Sequence, residues 1–191
     1  MAPLVGVLAL QGAFREHIAV LRKLGANTRE LRQKKDIQGI DALVIPGGES
    51  TTIGKLLVDL DMLQPLRNAV SRGLPAYGSC AGLILLCRKI EQSDQPRIGL
   101  LDATVRRNAF GRQMESFESN LPVDGIGGGP FPAVFIRAPV ISSVGPGVEV
   151  LARLGENAVA VRQDNMLATS FHPELTADSR MHSYFLEMCK K

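Results

Sequence analysis

The first half of the chain alternates between short apolar runs and segments in which apolar residues recur at helical spacing. Short apolar runs ended by glycine or proline are typical of strands covered on both faces. Segments such as 14–24, where Ile18, Leu21 and Leu24 precede Gly25, are typical of helices. In order, the pattern predicts a strand over 4–10, a helix over 14–24, a strand over 42–45, helices over 52–60 and 66–72, a strand over 74–77 and a helix over 81–90.

The second half is richer in strand-forming residues. Strands are predicted within 104–123, 133–138, 148–154 and 158–171, a glycine-rich irregular loop over 125–132, and a closing helix over 177–189. Strands that alternate with helices predict an α/β fold with a mostly parallel central sheet and helices on both faces. The second half is expected to add antiparallel strands. With no repeat or linker in 191 residues, we expect one domain over 1–191.

Composition excludes several classes of function. The formal net charge is +3 and is spread along the chain, which does not favour nucleic acid as a partner. No apolar run approaches the roughly 20 residues needed to cross a bilayer, and no basic segment precedes the first apolar run. Three cysteines without a CxxC pair favour neither disulfides nor a zinc site. We therefore expect a cytoplasmic domain that needs no metal or organic cofactor.

The stretch Gly78-Ser79-Cys80-Ala81-Gly82 lies between a predicted strand and a predicted helix. This is the pattern of a nucleophile elbow, in which a strained turn exposes the reactive side chain. The flanking glycines let neighbouring backbone approach closely, and the positive end of the helix dipole favours a thiolate. A buried structural cysteine is the ordinary alternative. The turn favours a nucleophile at Cys80, whereas Cys87 and Cys189 keep the structural interpretation.

A thiolate nucleophile needs a histidine that is held by a third group. His172 follows a predicted strand and precedes Pro173-Glu174. In extended backbone, residues two apart project to the same side, so Glu174 can reach one imidazole nitrogen while the other faces Cys80. His17 and His182 fall within predicted helices and are expected on helix surfaces.

The loop Pro46-Gly47-Gly48-Glu49-Ser50-Thr51-Thr52 follows a predicted strand, at the edge where open α/β sheets bind ligands. Its backbone N–H groups, with that of Ala81, are candidates to stabilise an oxyanion. A phosphate-binding loop is the rival interpretation, and its spacing fails because Lys55 is followed by Leu56 rather than Ser or Thr. A plain glycine turn that caps the next helix is a third possibility.

Gly-Ser-Cys-Ala-Gly with a downstream His-Pro-Glu resembles the class I, triad-type glutamine amidotransferases, which have a flavodoxin-like α/β fold. Within that class, further stretches are similar to the glutaminase subunits of pyridoxal 5′-phosphate synthases. These stretches are Leu10-Gln11-Gly12-Ala13 with Arg15-Glu16-His17, residues 46–52, Arg107-Asn108-Ala109-Phe110-Gly111-Arg112-Gln113 with Ser116-Phe117-Glu118, Phe135-Ile136-Arg137-Ala138-Pro139, and Ser170-Phe171-His172-Pro173-Glu174-Leu175-Thr176.

The resemblance implies that this chain hydrolyses L-glutamine and passes ammonia to a separate synthase subunit that makes pyridoxal 5′-phosphate. It implies a triad of Cys80, His172 and Glu174. The other implied roles are glutamine binding by Gly47, Gly48, Glu49, Arg107, Ile136 and Arg137, oxyanion stabilisation by Gly48 and Ala81, and partner contact by Gln11, Ser50 and Thr51.

Other functions stay open at the level of sequence. The same three side chains would serve a glutaminase subunit of another amidotransferase, such as one in histidine biosynthesis. They would also serve a cysteine peptidase-like enzyme of the same architecture, whose activity would not depend on glutamine. A non-catalytic binding subunit is disfavoured, because it has no physical need for Cys80, His172 and Glu174 together.

Overall fold

The computed structural model describes residues 2–109 and 116–190. The middle of the predicted strand-rich segment 104–123, including the motif residues Phe110 to Gln113, lies outside the described residues. The described strands are β1 (Leu4–Leu8), β2 (Asn27–Leu31), β3 (Ala42–Ile45), β4 (Ala76–Ser79), β5 (Cys87–Ile90), β6 (Leu101–Arg106), β7 (Ser116–Leu121), β8 (Phe131–Ile136), β9 (Val140–Val144), β10 (Glu149–Leu154), β11 (Asn157–Gln163) and β12 (Met166–Thr169).

The helices surround these strands. They are α1 (Phe14–Lys23), α2 (Ser50–Asp59), α3 (Leu63–Ser71), α4 (Ala81–Leu86) and α5 (Arg180–Met188), with short 3-10 turns at Lys34–Ile37 and Pro173–Leu175. Among the described helices, none combines the length and the apolar character that crossing a bilayer requires.

The main sheet confirms the predicted α/β fold. Its strands run in the order β2-β1-β3-β4-β12-β11-β9-β6-β5, with β10 paired to β11. Strands β2, β1, β3, β4 and β12 are mutually parallel. Antiparallel pairs join β12, β11, β9 and β6, and β7 pairs with β8 in a separate two-stranded sheet.

Alternating side chains of the parallel strands build one core on each face of the sheet. In β3, Leu43 and Ile45 pack with α2, α3 and α4, whereas Ala42 and Val44 pack with α1, α5 and the β7-β8 sheet. All four side chains are fully buried. A strand that is apolar at every position is therefore explained by two cores rather than one.

The predicted helix over 81–90 is wrong in its second half. Helix α4 ends at Leu86, and Cys87 begins β5 with an extended backbone. The backbone N–H groups of Ile98 and Leu100 donate to the carbonyls of Leu85 and Leu86 at 2.8 and 2.9 Å. The chain then pairs with β6 as a strand instead of continuing the helix, because the carbonyls of Leu85 and Leu86 already accept hydrogen bonds from the segment that follows β5.

Strand β2 was not anticipated from the sequence. Its residues, Asn-Thr-Arg-Glu-Leu, are polar except for the buried Leu31, and it lies at the edge of the sheet. It nevertheless pairs in parallel with β1 along its whole length. One buried position is enough at an edge, since the outer side of such a strand faces solvent.

The glycine-rich loop predicted over 125–132 ends at Pro130, two residues before the predicted end, because β8 begins at Phe131. The guanidinium of Arg180 fastens it by donating to the carbonyls of Gly127, Gly129 and Pro130 at 2.6, 2.8 and 3.1 Å. Asp178 accepts hydrogen bonds from the same guanidinium. The loop is thus fixed by α5 rather than by its own side chains.

The carboxyl ends of β1, β3, β4 and β12 meet at one edge of the sheet. Gln11 follows β1, the Gly47-Gly48 loop follows β3, Cys80 follows β4, and His172 follows β12. Parallel pairing places these chain segments together, so residues from four distant parts of the sequence converge on one site.

Candidate active site

Cys80 lies on a strained strand-to-helix turn. Its φ of 48° and ψ of −100° place a non-glycine residue in the positive-φ region, and its N–H donates to the Thr169 carbonyl at 2.8 Å. A Cβ on Gly78 would collide with the backbone of Gly82, and a Cβ on Gly82 would collide with the Ile45 carbonyl. The predicted need for glycine on both sides of the turn is confirmed by these contacts.

The imidazole of His172 is fastened to the carboxylate of Glu174. His172 Nδ1 lies 2.7 Å from Glu174 Oε1, and the side chain of Glu174 is fully buried. Burial opposes protonation of His172, but its hydrogen bonds with Cys80 and Glu174 and the charges of both raise its pKa to about 10. At neutral pH the imidazole is therefore an imidazolium beside the sulfur, and Nε2 is the nitrogen that faces Cys80.

Glu174 is held as a carboxylate in spite of its environment. Burial favours its neutral form, yet His17 and the hydrogen bond from His172 hold the pKa of the carboxyl below its ordinary value. The three groups that the sequence selected, Cys80, His172 and Glu174, are thus brought together, with the His172 imidazolium between the sulfur and the Glu174 carboxylate.

The loop after β3 is held against the imidazole from several directions. The Gly47 carbonyl accepts from the Ala13 N–H at 3.0 Å, and the Gly47 N–H donates to Ser79 Oγ at 3.1 Å. A Cβ on Gly47 would collide with the His172 ring. Only glycine fits between these groups, so the loop and the imidazole are packed as one unit.

Gln11 occupies the space beside Gly48. Its Oε1 accepts the Glu49 N–H at 2.7 Å and stands where a Cβ on Gly48 would lie. Gln11 and Thr51, two of the predicted partner contacts, are exposed, whereas Ser50 is 3% exposed. A partner would reach Ser50 only if the loop moved.

Glu49 caps helix α2 with its own side chain. Its carboxylate accepts from the N–H groups of Thr51 and Thr52 at 3.3 and 2.8 Å and from Thr52 Oγ1 at 2.9 Å. Partial burial opposes ionisation, but the bonds from Thr52 and Thr51 lower the pKa of Glu49 below its ordinary value. Helix α2 begins at Ser50, two residues before the predicted start, because this cap precedes it.

A cleft of about 410 Å³ opens above the nucleophile. Most of the residues selected from the sequence line it. Its walls are formed by Gln11, Gly48, Glu49, Ser50, Cys80, Ile84, Arg107, Asn108, Ile136, Arg137 and His172. Ile136 brings its carbonyl oxygen to 3.8 Å from Cys80 Sγ, and Arg137 follows with a positive φ of 43°.

Arg107 is positioned in the cleft by a residue that sequence reasoning missed. Its Nη1 donates to Gln95 Oε1 and to Thr51 Oγ1, both at 3.1 Å. Gln95 is 8% exposed. A single glutamine in an irregular stretch carries no recognisable pattern, so only the fold could reveal this contact.

The predicted surface positions of His17 and His182 are wrong. Both histidines are fully buried, on the inner faces of α1 and α5. His17 Nδ1 lies 2.9 Å from His182 Nε2, and His17 Nε2 lies 3.0 Å from Ser79 Oγ and 3.4 Å from Glu174 Oε2. Apolar residues stand three and four positions after each histidine, Val20 and Leu21 in α1 and Phe185 and Leu186 in α5, but the charged residues near both histidines made a surface position equally consistent with the sequence.

Elsewhere, a cavity of about 580 Å³ lies between the start of β1 and the end of α5, and none of the residues selected from the sequence lines it. Within residues 2–109 and 116–190, no group of three or more His, Cys, Asp or Glu side chains is arranged to hold a metal ion.

The sequence profile of the SNO glutamine amidotransferase family matches residues 7–191 of this chain. The chain belongs to the SNO glutamine amidotransferase family. This SNO family member is 59% identical over 185 residues to pyridoxal 5′-phosphate synthase subunit PdxT of Pelotomaculum thermopropionicum, covering 97% of the chain and 94% of that protein. It is 56% identical over 184 residues to the PdxT subunit of Moorella thermoacetica, covering 96% and 98%.

A solved structure supports the same relationship. A crystal structure of a glutamine amidotransferase superposes on the SNO family member with a TM-score of 0.93. The two are 54% identical, and the match covers 98% of this chain and 99% of that one. The predicted resemblance to the class of glutamine amidotransferases is thereby confirmed.

Proposed function

We propose that this chain hydrolyses the side-chain amide of L-glutamine, with Cys80 as nucleophile, His172 as acid and base, and Glu174 as the carboxylate that orients it. One observation carries the proposal: Cys80, on its strained turn, faces an imidazole that is bonded to Glu174 at 2.7 Å, in a cleft of about 410 Å³. Membership of the SNO glutamine amidotransferase family supports amide hydrolysis over peptide cleavage.

The first half of the reaction forms a thioester. The Cys80 sulfur attacks Cδ of glutamine, and the carbonyl oxygen takes the negative charge. When the C–N bond breaks, His172 Nε2–H gives its proton to the departing nitrogen, which leaves as ammonia. The imidazolium that the raised pKa of His172 maintains is the protonation state this step needs.

The second half regenerates the enzyme. Neutral His172 takes a proton from water, the resulting hydroxide attacks the γ-glutamyl thioester, and the C–S bond breaks. Glutamate leaves, and Cys80 and His172 return to thiolate and imidazolium. Glu174 keeps Nδ1 of the ring occupied throughout, so that Nε2 alone exchanges protons.

The backbone N–H groups of Gly48 and Ala81 stabilise the oxyanion in this proposal. Ala81 begins helix α4, where N–H groups have no carbonyl partner within the helix. In a trans peptide unit the N–H and C=O point in opposite directions. Because the Gly47 carbonyl faces Ala13, the Gly48 N–H points away from Ala13, on a residue that lines the cleft.

Glutamine is held through its α-carboxylate and its α-ammonium. The guanidinium of Arg107 suits the carboxylate, and the Ile136-Arg137 turn closes the same side of the cleft. Glu49 Oε1 accepts one bond from Thr51, so a further lone pair of that oxygen is available to the ammonium. Gly47 and Gly48 supply the close backbone approach that a side chain would block.

A separate pyridoxal 5′-phosphate synthase subunit receives the ammonia. This assignment is supported by relatives at 54–59% identity, which are named pyridoxal 5′-phosphate synthase subunit PdxT. Direct transfer protects ammonia from protonation by water. Gln11 and Thr51 are exposed and can contact that partner. Because Gln11 Oε1 accepts the Glu49 N–H, a partner that moves Gln11 would also move the loop after β3.

Free thiols at Cys80, Cys87 and Cys189 suit a reducing compartment, and we place the reaction in the cytoplasm.

The test is glutamate release from L-glutamine by the purified chain, with and without the synthase subunit. Cys80→Ala should abolish release, and the matched change Cys87→Ala, at a fully buried cysteine outside the cleft, should preserve it. Release that rises when the partner is added establishes the coupling. Glutamate release by Cys80→Ala at the original rate would show that Cys80 is not the nucleophile.

The partner and the substrate are tested in the same assay. Stimulation by the glutamine-dependent synthase of histidine biosynthesis, but not by the pyridoxal 5′-phosphate synthase subunit, would overturn the partner assignment. Cleavage of peptides without turnover of glutamine would instead favour the cysteine peptidase alternative.

A further inference from the structure

The buried carboxylate of Glu174 stands between two imidazoles. Its Oε1 is bonded to His172 Nδ1 at 2.7 Å, and its Oε2 lies 3.4 Å from His17 Nε2. The side chains of His17 and Glu174 are both fully buried. Among the described residues, His17 Nε2 is the basic nitrogen that Oε2 faces, and no conventional hydrogen bond satisfies that oxygen.

Both inner histidines are neutral. Burial lowers the pKa of His17, and burial together with the neighbouring His17 lowers the pKa of His182 to about 3. Each ring therefore carries one N–H, and the 2.9 Å contact between His182 Nε2 and His17 Nδ1 needs one donor and one acceptor.

Electrostatics selects one of the two possible tautomers. If His182 Nε2–H donates to His17 Nδ1, the His17 N–H lies on Nε2, pointing at the Glu174 carboxylate and the Ser79 hydroxyl. In the reverse arrangement, a lone pair of His17 would face that carboxylate, and the N–H of His182 would lie on Nδ1, which is buried and has no partner. Buried N–H groups without partners are rare, so the first arrangement is favoured.

The same His17 nitrogen also reaches the loop after β3. Ser79 Oγ lies 3.0 Å from His17 Nε2 and accepts the Gly47 N–H at 3.1 Å. Gly47 in turn packs on the ring of His172. One imidazole thus connects the carboxylate that orients His172 with the loop that packs on His172.

We infer that His17 is a positioning residue for glutamine hydrolysis: its Nε2–H holds the second oxygen of Glu174 and the hydroxyl of Ser79, and His182 fixes its tautomer. The inference rests on the proposed function, because it assigns His17 a role through the triad carboxylate. His17 touches neither the cleft nor the sulfur, so it acts through Glu174 and Ser79 alone.

His17→Leu and His17→Gln separate this role from simple packing. Leucine fills the space without a donor, whereas glutamine returns an N–H near the position of Nε2. Tyr77→Phe is the matched control, because it removes a buried hydroxyl whose ring lies edge-on to His17, while Thr169 Oγ1 keeps its bond to the Phe171 carbonyl.

The readouts are kcat and KM with the synthase subunit present, the pH profile of kcat/KM, and the thermal midpoint. We expect His17→Leu to lower kcat about ten- to hundred-fold, by analogy with the loss seen when a group that orients a metal-ligating side chain is removed. KM should change little, and His17→Gln should recover most of the rate. The acid limb should move to higher pH in His17→Leu, because loss of the donor raises the pKa of Glu174.

The titratable groups that face Glu174 are His172 from the same turn, His17 from α1, and, farther away, Tyr77 from β4 and His182 from α5. A purely structural role would lower the amount of folded enzyme and leave the acid limb unmoved. Unchanged kcat and acid limb in folded His17→Leu, or an equal loss in Tyr77→Phe, would overturn the inference. Activity that persists in Glu174→Gln would instead refute the proposed triad, which is a separate outcome.

Discussion

The amide oxygen of Gln95 accepts a hydrogen bond from the guanidinium of Arg107 at 3.1 Å. Gln95 is buried in the segment after β5, whereas Arg107 lines the cleft, so the contact holds the guanidinium from its buried side. A hydrogen bond to a charged group contributes about 1.5–3 kcal/mol, and each 1.4 kcal/mol corresponds to roughly tenfold in affinity.

We therefore expect Gln95→Leu to raise KM for glutamine about tenfold while kcat changes less. Steady-state glutaminase kinetics with the synthase subunit present would measure both constants. Gln64→Leu is the control, because Gln64 is an exposed glutamine whose bond is to Asn68 on its own helix. A fall in kcat at unchanged KM would place Gln95 in another role.

The protonation of His172 should depend on the cysteine beside it. Burial opposes the charge, and the bonds and charges of Cys80 and Glu174 raise the pKa of His172 to about 10. Cys80→Ala removes one of these partners, so the pKa should fall toward the ordinary value of about 6.5. NMR of the His172 ring during a pH titration measures the shift, and Cys87→Ala should leave it in place.

The burial of neutral His182 should make the protein sensitive to acid. Burial and His17 lower the pKa of His182 to about 3, whereas the unfolded chain binds that proton near 6.5. The unfolded state therefore binds more protons between these values, and stability falls as pH decreases from 6.5 toward 3. At pH 5 the loss from this group is about 2 kcal/mol.

Replacing His182 by glutamine removes that titration. We expect urea midpoints at pH 7 and pH 5 to differ less in His182→Gln than in the unchanged chain. Identical differences in the two proteins would mean that His182 is protonated in the folded state at pH 5.

The turn around Cys80 should tolerate no side chain at its second glycine. A Cβ at Gly82 would meet the Ile45 carbonyl of the neighbouring strand, and backbone cannot move aside cheaply. Gly82→Ala should therefore destabilise the fold by roughly 1–3 kcal/mol and reduce turnover. Gly127→Ala, where nothing lies near the added carbon, should change stability by less than about 0.5 kcal/mol in the same urea unfolding experiment.

Local sequence patterns were sufficient to predict those elements whose apolar residues follow a clear strand or helix pattern. Strand β3 was predicted to the residue, because four apolar positions between Asp41 and Pro46 allow only a short buried segment. The boundary between α4 and β5 could not be predicted, since Leu85, Leu86 and Cys87 are apolar in either structure. Backbone hydrogen bonds from Ile98 and Leu100 decide it, and these come from a later segment.

The candidate site likewise has residues that the sequence could reveal and one that it could not. Cys80 and Glu174 lie next to the glycines and the histidine that make them recognisable, so sequence proximity revealed them. His17 is 157 residues from Glu174 in the chain, and its contact exists only because α1 packs against the turn after β12, with His17 itself also contacting Ser79 of β4. Its burial among apolar neighbours could not be separated from a surface position by sequence alone.

The polar side chains of β2 also affect how the edge of the sheet meets other molecules. An edge strand presents unpaired N–H and C=O groups, which invite another chain to add a strand and start aggregation. In β2, the side chains of Asn27, Thr28, Arg29 and Glu30 are exposed or half-buried, and Arg29 and Glu30 are charged. Charge and partial hydration along this edge therefore discourage a second molecule from adding a strand there.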